Sequence, residues 1–177
     1  MPHPNLSEAQ IRELASWVAT YISEQRTSFQ GKAAPIEPGH KAALEPFFPA
    51  TLLGEVRVVR GRASEPSFYR QLQGLGITNA PPFSEMAGIT FQDVVVHAEP
   101  LTRRLLFHEL VHAVQYRHLG LPGFAEYYVR GFLSGGSYEK IPLEKQAYEL
   151  EARFADDPAE QFSVDADVLR RLKLRQL

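Results

Sequence analysis

Residues His108-Glu109-Leu110-Val111-His112 place two imidazoles four positions apart, with a carboxylate directly after the first. The segment around them, from Leu101 to about Leu119, reads as one long helix that Gly120 and Pro122 bring to a stop. On an α-helix, residues four apart lie one above the other on the same face. His108 and His112 can therefore both turn a ring nitrogen toward a single ion. The bland alternative is a buried helix whose histidines bond only to backbone or carboxylates. It is hard to satisfy, because two rings and a carboxylate on adjoining faces all need partners. Imidazole is a good zinc ligand, and a catalytic zinc usually keeps three protein ligands and one open position for water. Glu109 projects about 100° around the helix from His108. That direction suits a base that takes the proton of a metal-activated water as it attacks a carbonyl.

Composition narrows the donors. The chain has no cysteine, so a metal must be held by His, Asp or Glu. A disulfide framework, a Cys-ligated zinc finger, an iron–sulfur cluster and a cysteine nucleophile are excluded. A formal net charge of −2 argues against a domain that holds nucleic acid by its phosphates. The first residues carry neither a basic start nor an apolar run of signal-peptide type. No stretch approaches the roughly 18 apolar residues of a membrane span. The expectation is a cytoplasmic protein with no membrane span and no nucleic-acid partner.

Four residues are candidates for the third ligand. His118 follows His112 by six positions, which on a continuous helix turns it about 120° away. Glu126 lies in the next helical segment, expected over Phe124–Leu133. Glu144 and Glu151 lie in a helix expected over Leu143–Ala155, where Glu144, Tyr148 and Glu151 share one stripe. Small Ala147 beside that stripe allows close approach to the helix of the two histidines, while Glu149 falls on a solvated face. If it is not the ligand, Glu151 can orient a ligand histidine. Gln115 lies one turn beyond His112 on nearly the same face and can bond a ligand or line a cleft. Of the neighbouring tyrosines, Tyr148 is on the ligand stripe and is the candidate for steadying a developing oxyanion.

Elsewhere, Ser7 with Gln10 forms a capping-box signature for a helix over 7–27, with an apolar face from Ile11 to Ile22. Residues 31–50 read as a connection, Leu52–Arg60 as a strand, and 61–88 as loop. Ile89–His97 reads as the strongest strand, centred on Val94-Val95-Val96. A final helix from Ser163 to the end carries Arg170, Arg171, Lys173 and Arg175, with Val168, Leu169, Leu172 and Leu177 turned inward. The basic residues could meet an acidic partner or a membrane surface, although a packed amphipathic helix is the simpler reading.

The string Phe107-His108-Glu109-Leu110-Val111-His112-Ala113-Val114-Gln115-Tyr116, followed by Pro142-Leu143-Glu144 and Ala147-Tyr148, resembles small bacterial metallopeptidase-like proteins with HELVHxxQY and a downstream PLExxAY. HExxH with a Glu on a later helix is also similar to the gluzincin branch of zinc metallopeptidases. In the related Glu-x-x-Ala helix of domains akin to phage-repressor-cleaving proteins, the first Glu is the metal ligand; here that is Glu144. The resemblance covers about residues 88–155. It departs from thermolysin-like enzymes in the gap of 32 residues between His112 and Glu144, and in having Tyr148 where those carry Asp. The elements together predict an α+β, mostly helical single domain over 1–177, with a small sheet from Leu52–Arg60 and Ile89–His97 packed on the HExxH helix; the resemblance implies that it is zincin-like, with a metal-site core at about 88–155. It also implies one Zn2+ on His108, His112 and Glu144, Glu109 as base, and a peptide or protein substrate. In such folds an edge strand before the metal helix receives substrate by main-chain pairing, a role that falls here to Gly88–Val96, with Val94, Val95 and Val96 at its centre. Two other readings are a zincin-like module whose metal only stabilises a binding surface, and an effector or toxin-type protease with one protein target.

Overall fold

Ser7 starts the first helix as expected. Its hydroxyl accepts from the Gln10 N–H at 3.3 Å while the Gln10 carboxamide oxygen accepts from the Ser7 N–H at 2.9 Å. The computed structural model describes residues 6–157 and 160–174, and in it helix α1 spans Glu8–Gln30. Leu14, Ala15, Tyr21 and Ile22 form its buried face.

The connection expected over 31–50 contains strand β1 (Ala34–Pro35) and helix α2 (Pro38–Leu44). Pro38 supplies a preset first turn, and Leu44, Phe47 and Phe48 are buried. The strand expected over Leu52–Arg60 is half helix. Leu52, Leu53 and Val56 all pack inward, and helix α3 takes Ala50–Glu55, leaving β2 as Arg57–Arg60. The loop over 61–88 holds a short helix, α4 (Tyr69–Gly74), and a 3-10 turn at Phe83–Glu85.

The strand expected over Ile89–His97 is a hairpin, β3 (Gly88–Phe91) and β4 (Val94–His97), folded at Gln92-Asp93. Gln92 has φ +61°, an uncommon setting for a residue with a Cβ. Arg26 of α1 holds the turn by a two-point ion pair to Asp93, at 2.5 and 3.0 Å. The sheet order is β1-β2-β4-β3, with β2 and β4 parallel and the outer pairs antiparallel. Val94, Val95 and Val96 are therefore interior, paired on both sides and buried, and cannot be a substrate edge. The edge is β3. Ala98 N–H donates to Ala87 C=O at 2.8 Å. By the alternation of an antiparallel ladder, Gly88 and Thr90 then direct their main-chain groups to the free side.

Helix α5 (Arg103–Gly135) is capped by Thr102 and broken at Gly120 (φ +67°, ψ 169°), the expected stop, into two arms. It ends on left-handed Gly136. Helix α6 covers Pro142–Asp156, and α7, capped by Ser163, covers Val164–Lys173. Arg171 pairs with Glu149 and Asp167, and Arg170 with Asp167, while Val168 is buried. The expectations placed on Arg175 and Leu177 lie outside the described residues. The α+β expectation, mostly helical with a small sheet against the helix of the two histidines, holds. Two apolar clusters flank α5. One joins α1 to the sheet and the second arm; the other joins α2, α3, α6 and α7 to the first arm. Among the described residues, no helix is long and apolar enough to cross a membrane.

Candidate metal centre

The first arm of α5 lies between the two clusters, and its His108, His112 and Gln115 face α6. Gly131 lets the second arm pass against Pro142, which begins α6 and brings Glu144 over the histidines. His108, Glu109, His112 and Glu144 are only 6, 3, 5 and 4% exposed. The two Nε2 atoms are 3.3 Å apart, and Glu144 Oε2 lies 3.3 Å from that of His112 and 3.6 Å from that of His108. A triangle with these edges has its centre about 2 Å from each corner, the length of a zinc–nitrogen or zinc–carboxylate bond. Glu144 Oε2 is buried without a hydrogen-bond partner.

The other ring nitrogens are committed. His108 Nδ1 is 2.9 Å from Glu151 Oε2, and a carboxylate can only accept, so that nitrogen carries the proton. His112 Nδ1 donates to Gln115 Oε1 at 2.8 Å. Both Nε2 lone pairs are thereby left facing each other and an unpartnered carboxylate oxygen, an arrangement that a cation satisfies. The residues present fit a divalent metal held by two imidazoles and one carboxylate.

The surroundings favour positive charge at this point. Burial alone would depress both imidazoles, but Glu144 outweighs it and raises His112; with help from Glu151 it lifts His108 to about 10. Glu144, which burial would raise, is held down to about 2 by the two rings. Glu109 moves the opposite way. Burial raises its carboxyl above the usual range, only partly offset by the histidines and by Thr90.

His118 pairs with Asp165 at 2.9 Å, and Glu126 pairs with Arg130, so neither of these candidates belongs to the cluster. Glu151 stands behind His108, with its other oxygen held by Arg104. Tyr148 is 45% exposed and lays its ring 4.6 Å from that of His108. Four contributors went unread in the sequence. Arg104 precedes His108 by four residues, so helical spacing could have found it. Thr90 donates to Glu109 Oε2 at 2.7 Å from the edge strand, with no local signal. Gln146 and Asp167 lie behind His112, on α6 and α7.

Two spaces meet at Glu109 and Gly88. One is an open cleft of about 400 Å3 lined by Arg104, His108, Tyr138 and Tyr148. The other is an apolar recess of about 40 Å3 lined by Ile22, Phe83, Tyr116 and Tyr128. Comparison with protein-family models, curated proteins and solved structures finds no match for the chain.

Proposed function

We propose that the chain is a zinc-dependent hydrolase acting on peptide bonds, as the resemblance of its motifs implies. The observation that carries the reading is the triangle of His108 Nε2, His112 Nε2 and Glu144 Oε2, with both Nδ1 atoms already bonded. These three residues would hold the zinc, whose chemistry when bound is to polarise a carbonyl and make water acidic enough to attack it.

The protein's own groups supply the rest. Glu109 is the proposed base. Its Oε2 accepts from Thr90, and burial raises its proton affinity, which suits a group that takes a proton and returns it. The free main-chain groups of Gly88 and Thr90 run beside Glu109 and would pair with an extended substrate. Tyr148, on the cleft side of His108, is the hydroxyl proposed to meet the carbonyl oxygen. A purely stabilising metal site would have no use for a buried base at the junction of an open cleft and an edge strand.

The test is metal analysis together with hydrolysis of a mixed peptide library read by mass spectrometry. Zinc should be found at about one per chain. Glu109→Gln should keep the zinc and lose hydrolysis; undiminished turnover would remove Glu109 as the base.

A further inference from the structure

His112 begins a line of hydrogen bonds that crosses three helices and has a direction. Gln115 accepts from His112 Nδ1 through Oε1 and uses Nε2 to donate twice, to the Leu143 carbonyl at 3.0 Å and to Gln146 Oε1 at 3.1 Å. Gln146 in turn donates from Nε2 to Asp167 Oδ1 at 2.9 Å. Gln115 and Gln146 are both completely buried. An amide can be turned end for end, so its surroundings set its orientation: the Leu143 carbonyl calls for the nitrogen of Gln115, and Asp167 for that of Gln146. The carboxylate at the far end cannot donate, and Arg170 and Arg171 hold it at 2.5 and 2.9 Å as an acceptor. Reversing Gln146 would set its oxygen against Asp167 and its nitrogen against the nitrogen of Gln115. Reversing Gln115 would set oxygen against the Leu143 carbonyl. Only one polarity satisfies every buried atom, and it sets an acceptor, Gln115 Oε1, against His112 Nδ1, which must therefore donate.

We infer that Asp167, through Gln146, is a positioning residue that joins the Leu143 carbonyl in holding Gln115, and so fixes the Nδ1–H tautomer of His112 and keeps Nε2 bare toward His108 and Glu144. The C-terminal helix thereby controls a ligand it never touches. The inference rests on the metal-site reading for its consequence, but the tautomer itself is measurable without metal.

The test uses the full chain with 15N-labelled histidine. Long-range 1H–15N spectra of the metal-free protein at a pH where His112 is neutral report which ring nitrogen holds the proton. Zinc affinity is measured alongside, by competition with a chromophoric chelator. Wild type should show Nδ1–H. Asp167→Ala and the near-isosteric Gln146→Met should mix the tautomers and weaken zinc about 10- to 100-fold, the usual cost of losing a partner behind a ligand. Asp167→Asn, whose Oδ1 still accepts from Gln146, should keep the wild-type tautomer even if the alanine variant does not fold. Unchanged tautomer and affinity in Asp167→Ala and Gln146→Met would overturn the inference, as would an Nε2–H wild type. A wild type that shows Nδ1–H but takes up no zinc would defeat the metal reading and leave the relay standing.

Discussion

Gly88 is where the edge strand touches the proposed base. A methyl group there would stand 2.7 Å from Glu109 Oε1 and 3.0 Å from Leu105 Cδ1, so Gly88→Ala must displace the carboxylate. The three ligand atoms are not in that contact. Zinc affinity should stay within about twofold while hydrolysis falls about 100-fold, the scale of a misplacement near 1 Å; chelator competition and kcat check the two halves. His108, Glu109, His112, Gln115 and Glu151 were legible because helical spacing turns sequence distance into direction, whereas Glu144 stood out from the other candidates through the resemblance of its motif. Thr90, Gln146 and Asp167 were not, since their partners lie on other elements and nothing near them in the chain marks the bond.

Elements divided in the same way. Long helices announced themselves through periodicity and through the caps at Ser7, Gly120, Gly136 and Ser163. Four-residue strands offer too few positions for a period, so Leu52–Glu55 passed for strand. The turn that splits β3 from β4 has no glycine or asparagine and depends on Arg26, 67 residues away from Asp93. The crossing of α5 and α6 is more exacting. A Cβ on Gly131 would meet Pro142 Cδ at 2.5 Å and Ile141 Cγ2 at 3.3 Å. Gly131→Ala should cost about 1–3 kcal/mol through overpacking. It should also weaken zinc by lifting Glu144, whereas the same change at Gly123, whose nearest neighbour is Leu119 Cβ at 3.4 Å, should do neither. Urea denaturation and chelator competition report both.

At the scale of the whole molecule, the three residues proposed to hold zinc come from two helices that meet only in the folded chain. Zinc binding native protein alone should add about 2.7 kcal/mol of stability at a free concentration 100 times its Kd. Thermal unfolding should move up with zinc and return with chelator, and Glu144→Ala should abolish the shift. The free edge of β3 carries a quieter consequence. Its main-chain groups point outward only at Gly88 and Thr90, so a strand laid against it can slip only by two residues at a time without turning its side chains over. Scission along one polypeptide would then keep to a single parity, all odd or all even bonds from a given starting register, a frame written into the backbone before any side chain is consulted.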